Sequence, residues 1–359
     1  MTQPKIIRKT VVRRKTLGGK IKRAAALSLF GAGAYLLARR AVRGVADLRG
    51  QVVLIAGGSR GLGLLLARHF AAAGCKIAIC ARGEDELRRA HDELQKGNVE
   101  IFTQVCDVTV PGEVEKLVKD VVAHYGQIDI LVNNAAILQV GPMASMTRDD
   151  FEITMDVAFW GTYNATQAVL PAMRKRKSGR IVNIVSIAGE ISMPHLMPYN
   201  CAKSAVLGFS RSLRIETARD GIKVTSVLPG LMRTGSILGV SAKGNARVEG
   251  AMFGVMGSLP GLTLRAEDAA RRIVNAVRLG ESEIVVGAPY GLLARVQGLF
   301  PGAVSDVLSV ANRVMPGAPD EGESESKTGR EVFAEIDSPL LNAVLKPNLE
   351  AAQRLNQNK

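Results

Sequence analysis

The chain has 359 residues, room for one large domain or two modest ones, and its 47% hydrophobic and 22% charged residues are ordinary for a globular protein. Most of its formal charge of +14 sits in residues 1–46, which hold twelve Lys or Arg and no Asp or Glu and leave 35 basic against 33 acidic residues elsewhere. A near-neutral body with 4% aromatics argues against a nucleic-acid partner, four scattered histidines against a metal site, and the spacing of Cys75, Cys80, Cys106 and Cys201 against a disulfide scaffold.

In chain order, residues 24–38 (AAALSLFGAGAYLLA) carry no charge and lie between Lys20, Lys22 and Arg23 on one side and Arg39, Arg40 and Arg43 on the other. A helix of this length is about 22 Å long, short of the roughly 30 Å hydrocarbon core. The expectation is an interfacial anchor helix that places residues 1–46 on a membrane surface, with the following domain on the cytoplasmic side. A helix packed on the domain or a partner subunit, an organelle presequence and a soluble cytoplasmic protein are the alternatives.

From Gln51 short β-branched runs alternate with amphipathic stretches, the pattern of an α/β, doubly wound parallel sheet of Rossmann type with seven strands. Strands are predicted near 51–56, 76–80, 100–105, 129–133, 180–185, 223–228 and 283–286. Helices are predicted near 62–73, 84–96, 111–125, 148–176, 199–219 and 266–279. The Gly- and Met-rich segment 235–262 lacks clean periodicity and suits a mobile lid. The domains expected are a basic tail at 1–49, the sheet domain at 50–290 and a C-terminal extension at 291–359. The extension includes a flexible acidic linker at about 316–330 and a docking helix near 339–356.

The first strand runs into Gly57-Gly58-Ser59-Arg60-Gly61-Leu62-Gly63, a strand-to-helix turn of the kind that binds phosphate. Gly57 and Gly61 permit unusual backbone angles, Gly63 allows close packing, and N–H groups at the helix start favour a pyrophosphate. The second strand ends at Cys80-Ala81-Arg82 with no acid to bind a ribose 2′-hydroxyl. Arg82 and Arg60 suit a 2′-phosphate instead, so NADP(H) is expected over NAD(H). Ser186 closes the fifth strand, and Tyr199 and Lys203 sit four apart, on one face of the next helix. An ammonium beside a phenol favours the phenolate and is expected to lower the Tyr199 pKa, making it a general acid/base while Ser186 holds the substrate oxygen.

These motifs, with Asn133-Asn134-Ala135-Ala136 and Pro229-Gly230, stand in an order and spacing that resemble the short-chain dehydrogenases/reductases over residues 50–287. The resemblance implies Ser186, Tyr199 and Lys203 as catalytic residues. It places Gly57, Ser59, Arg60, Gly61, Leu62 and Gly63 on the cofactor phosphates, Asp107 and Val108 beside the adenine, and Asn133 and Ala135 along the cofactor. Lys203 would also hold the nicotinamide ribose, Thr234 would meet the carboxamide, and a homo-dimer or homo-tetramer is expected. Three positions depart from the family pattern. Ala56 and Ala136 are small changes, whereas Ala158 stands where the family has an Asn that serves a water-linked proton relay to the active-site Lys. The expected activity is hydride transfer between NADP(H) and a lipophilic carbonyl or secondary alcohol. The alternative that Ala158 raises is a non-catalytic NADP(H)-binding sensor or scaffold at a membrane.

Overall fold

Runs of buried Val, Ile and Leu build the sheet, because a parallel strand covered on both faces must be apolar throughout. A computed structural model describes residues 45–318, 326–336 and 338–357, so the expected anchor segment 24–38 lies outside the described residues. Asp47–Lys359 form one unit. The strands are β1 (Val52–Ala56), β2 (Lys76–Ala81), β3 (Ile101–Val105), β4 (Ile130–Asn133), β5 (Gly179–Ile184), β6 (Ile222–Pro229) and β7 (Glu283–Val286). They pair in parallel in the order β7-β6-β5-β4-β1-β2-β3. The chain reverses its direction of winding between β1 and β4. A crevice therefore opens beyond the C-terminal ends of these two strands, where open α/β sheets bind ligands.

Helices α1 (Gly61–Ala72), α2 (Glu84–Lys96) and α3 (Pro111–Tyr125) connect the first four strands. The single helix expected at 148–176 is two, α4 (Arg148–Met155) and α5 (Gly161–Arg176), joined by a π-helical turn at Asp156–Trp160. Thr147 and Asp150 cap α4 reciprocally. Next come α6 (Met197–Glu216), α7 (Ala246–Met256) and α8 (Ala266–Leu279). The segment expected as an irregular lid thus contains a regular helix, α7, whose Phe253 packs with Ile237, Leu345 and Ala352. Among the described residues no helix is long and apolar enough to cross a membrane.

Beyond β7 the chain forms α9 (Ala288–Leu299) and α10 (Pro301–Asn312), with Leu292, Leu299, Phe300, Val307 and Val310 exposed. Residues 319–325 of the expected flexible linker lie outside the described residues, but its end is ordered. Lys327–Thr328 pair antiparallel with Ser241–Ala242, and Thr328 with Glu331 forms a capping box at the start of α11 (Gly329–Glu335). The last helix, α12 (Pro339–Arg354), lays Leu345 and Ala352 against the same apolar cluster as α7.

Candidate active site

Gly57 and Gly61 both have positive φ, +79° and +57°, which lets the chain double back from β1 into α1. A Cβ on Gly63 would lie 2.0 Å from the Gly57 carbonyl oxygen, and one on Gly57 would lie 2.9 Å from the backbone of Ala135. The missing side chains therefore let this cradle-shaped turn pack tightly on itself and against Ala135. It forms one end of a cleft of about 450 Å³, within the range of small-molecule sites.

Gly57, Ser59, Arg60, Gly61, Leu62, Arg82, Asp107, Val108, Ala135, Ser186, Tyr199, Lys203 and Thr234 all line this cleft. Two expected cofactor residues do not. Gly63 is buried under the turn, where its role is close packing. Asn133 is also buried, and its Nδ2 donates to Asn183 Oδ1 (2.8 Å) and Thr166 Oγ1 (3.2 Å), tying β4 to β5 and α5. Its neighbour Asn134, which was not singled out from sequence, reaches the cleft and donates from Nδ2 to the Gly57 carbonyl at 2.7 Å. Successive side chains at a strand end point opposite ways, so a one-residue shift exchanges tether for lining. Cys75, Cys80 and Cys106 are buried, but Cys201 on α6 is exposed.

At the end of the cleft beside β2 both arginines have acidic neighbours. Arg60 Nη1 lies 3.3 Å from Glu86 Oε1, and Arg82 Nη1 lies 3.8 Å from Asp107 Oδ2, while both guanidinium groups stay largely exposed. Asp107 Oδ1 accepts from the backbone N–H and hydroxyl of Thr109 at 2.9 and 2.8 Å.

At the other end, α6 sets Tyr199 and Lys203 one turn apart, and the Lys203 Nζ lies 5.7 Å from the Tyr199 ring centroid. Lys203 is 2% exposed, and its Nζ donates to the Ile184 carbonyl at 2.8 Å. Burial pushes its pKa down to about 7. Burial also pushes the Tyr199 phenol up to about 12, opposed by its hydrogen bond with Ser186. The direction expected from sequence is thus reversed. A lysine that titrates near neutrality carries only part of a charge there, and desolvation of the phenolate outweighs its field. The result is a phenol held protonated. Ala158 is buried in the π-helical turn, and its carbonyl accepts from the Thr162 hydroxyl at 2.7 Å.

A pairing that sequence did not signal joins the loop before α6 to α7. His195, at φ +59°, holds the buried Glu249 carboxylate through Nδ1 at 2.8 and 2.9 Å. Burial raises the Glu249 pKa and the histidine opposes that rise.

The residues fit a nicotinamide dinucleotide. A Cβ on Gly61 would stand among cleft-lining groups, 4.0 Å from Thr234 Cβ, and the Lys203 ammonium has three donors but, among the described residues, one acceptor, which leaves two for ribose hydroxyls. The family model for short chain dehydrogenase matches residues 51–243. The dehydrogenase/reductase SDR family protein 7-like of Anopheles gambiae is 36% identical over 249 residues, covering 68% of this chain and 77% of that protein. The dehydrogenase/reductase SDR family member 7B of Mus musculus is 31% identical over 249 residues, 68% of this chain and 76% of that protein. A variant of actinorhodin polyketide ketoreductase, crystallised with NADPH, superimposes with a TM-score of 0.60 at 30% identity, covering 68% of this chain and 97% of that one. With this sheet order, this turn and these relatives, the chain belongs to the short-chain dehydrogenase/reductase family of oxidoreductases, which bind a nicotinamide cofactor.

Proposed function

We propose that this chain is an NADP(H)-dependent oxidoreductase that interconverts a lipophilic carbonyl compound and its secondary alcohol, with Tyr199 as general acid/base. The observation that carries this reading is the meeting of Ser186, Tyr199 and Lys203 with the glycine cradle in one cleft. Ile137, Leu138, Val157 and Met232 line the cleft too and favour an apolar substrate. When bound, reduced nicotinamide supplies a hydride to the carbonyl carbon. The Ser186 hydroxyl orients the carbonyl oxygen, and Tyr199 gives that oxygen its proton, completing the alcohol. Lys203, its Nζ positioned by the Ile184 carbonyl, holds ribose hydroxyls, and water carries the proton that restores Tyr199 from solvent. The exposed Arg60 and Arg82 suit a 2′-phosphate. The basic segment 1–46 is proposed to hold the enzyme at an anionic membrane surface, facing the cytoplasm, as a homo-dimer or homo-tetramer.

The purified protein is expected to oxidise NADPH, and NADH far less, in the presence of medium-chain and cyclic ketones. No turnover with any ketone despite NADPH binding would favour the non-catalytic sensor, the reading that Ala158 prompts. Replacing Arg60 and Arg82 together by Ala is expected to weaken NADPH binding by about 10- to 100-fold, the worth of charge-assisted contacts to a phosphate, and to leave NADH binding within about twofold. Titration of both nucleotides by fluorescence reads this ratio, and equal losses for the two would refute the 2′-phosphate assignment.

A further inference from the structure

The C-terminal end of the described chain lies on the phosphate cradle. Helix α12 is pinned by the buried Asn348, whose Nδ2 donates to the Gly257 carbonyl and to Ser258 Oγ and whose Oδ1 accepts the Gly235 N–H at 3.2 Å. It passes so close to the turn after Thr234 that a Cβ on Gly235 would meet the Ala352 Cβ at 2.4 Å. The three residues after α12 then run past the turn. The Leu355 carbonyl accepts the Gly61 N–H at 2.9 Å. Asn356, at φ +58°, donates to the carbonyls of Ser59 (2.8 Å) and Glu86 (2.7 Å) and accepts from Arg89 Nε at 2.6 Å. Gln357 lines the cleft and donates to the Thr234 carbonyl at 3.0 Å, beside Gly61.

We propose that residues 355–357 are a latch that competes with the dinucleotide for the phosphate turn, an inference that rests on the cofactor reading above. The N–H groups at the start of a helix have no intrahelical partner, and they are what an anionic phosphate seeks. At Gly61 a carbonyl of the same chain takes that donor. A pyrophosphate laid along the cradle and a Gln357 side chain bridging to Thr234 claim the same space. Residues 356 and 357 are held by polar contacts that water can replace, and Asn356 by backbone that is left-handed at a cost, so they can open and let the Leu355 carbonyl turn from Gly61 while the buried Leu355 side chain and the apolar seat of α12 stay in place. Apparent affinity for the cofactor then falls in proportion to the fraction of molecules whose latch is open.

Two variants separate the latch from the fold. Asn356→Gly keeps the left-handed backbone and loses the contacts to Ser59, Glu86 and Arg89. Deletion of residues 356–359 keeps the buried Leu355. Both are expected to bind NADPH faster and more tightly, by about tenfold if the parent latch is open about a tenth of the time. Stopped-flow nicotinamide fluorescence gives the rate and equilibrium titration the affinity. Exchange of the Gly61 amide hydrogen without nucleotide is expected to speed up in step. Circular dichroism checks the fold, and if the deletion misfolds, Asn356→Gly decides alone. Unchanged or weaker NADPH binding in a folded variant overturns the latch, whereas absence of binding in parent and variants alike overturns the cofactor reading instead.

Discussion

Tyr199→Phe is expected to cut turnover by about 10²- to 10⁴-fold, the usual contribution of a positioned general acid, while NADPH affinity stays within about threefold of the parent. The substitution removes one hydroxyl and keeps the ring, so the face that the Lys203 ammonium overlies at 5.7 Å survives. Loss of turnover with retained binding therefore reports chemistry rather than misfolding. The raised phenol pKa gives the reaction a direction in pH. With burial holding the group protonated to about 12, the acid form needed for carbonyl reduction is present throughout the physiological range. Alcohol oxidation needs the phenolate, whose population grows tenfold per pH unit below that value. Between about pH 6 and 9 the parent's oxidative rate is thus expected to climb relative to its reductive rate, a contrast absent from Tyr199→Phe. Turnover of Tyr199→Phe within about threefold of the parent would remove the proton-transfer role from this residue.

The inner strands are legible in the sequence because a strand buried on both faces reads as a continuous apolar run, such as Val52–Ala56, and the half-exposed edge strands β3 and β7 by their β-branched residues. The cradle and the Ser186, Tyr199 and Lys203 constellation are legible for a related reason. Each depends on residue type at a fixed local spacing, which the chain carries wherever it folds. What depends on distant neighbours is not. The π-helical turn at 156–160 shifts hydrogen-bond register without changing the apolar pattern, so α4 and α5 read as one helix. The pKa directions of Tyr199 and Lys203 follow from burial by elements far away in sequence, whereas spacing alone brings only their mutual charge to mind. His195 and Glu249 are 54 residues apart, and Asn356 and Ser59 are 297 apart. No local signal announces such pairs, and the C-terminal extension reads as an appendage although it reaches the cleft.

Lys203→Met is expected to abolish most turnover and at the same time to make the nucleotide-free protein more stable. The ammonium is 2% exposed, with the Ile184 carbonyl as its acceptor among the described residues, so the fold holds a poorly solvated cation, which Met replaces with an apolar chain of similar length. The sign follows from proton binding. The lysine titrates near 10.4 in the unfolded chain and about 7 in the fold, so between those values the unfolded chain binds more protons and stability rises with pH. The penalty is complete below pH 7 and vanishes above the unfolded value. Removing it is worth at most roughly 5 kcal/mol at or below neutrality, or a rise in Tm of about 7 °C. Thermal melts of the two proteins without nucleotide, at about pH 6, 8 and 10, are expected to show a gap that narrows as pH rises. A variant no more stable than the parent at pH 6 would mean that the ammonium is well solvated in the empty cleft. A residue kept for function against the preference of the fold is expected to show this pairing of lost activity and gained stability, whereas a structural lysine would lose both.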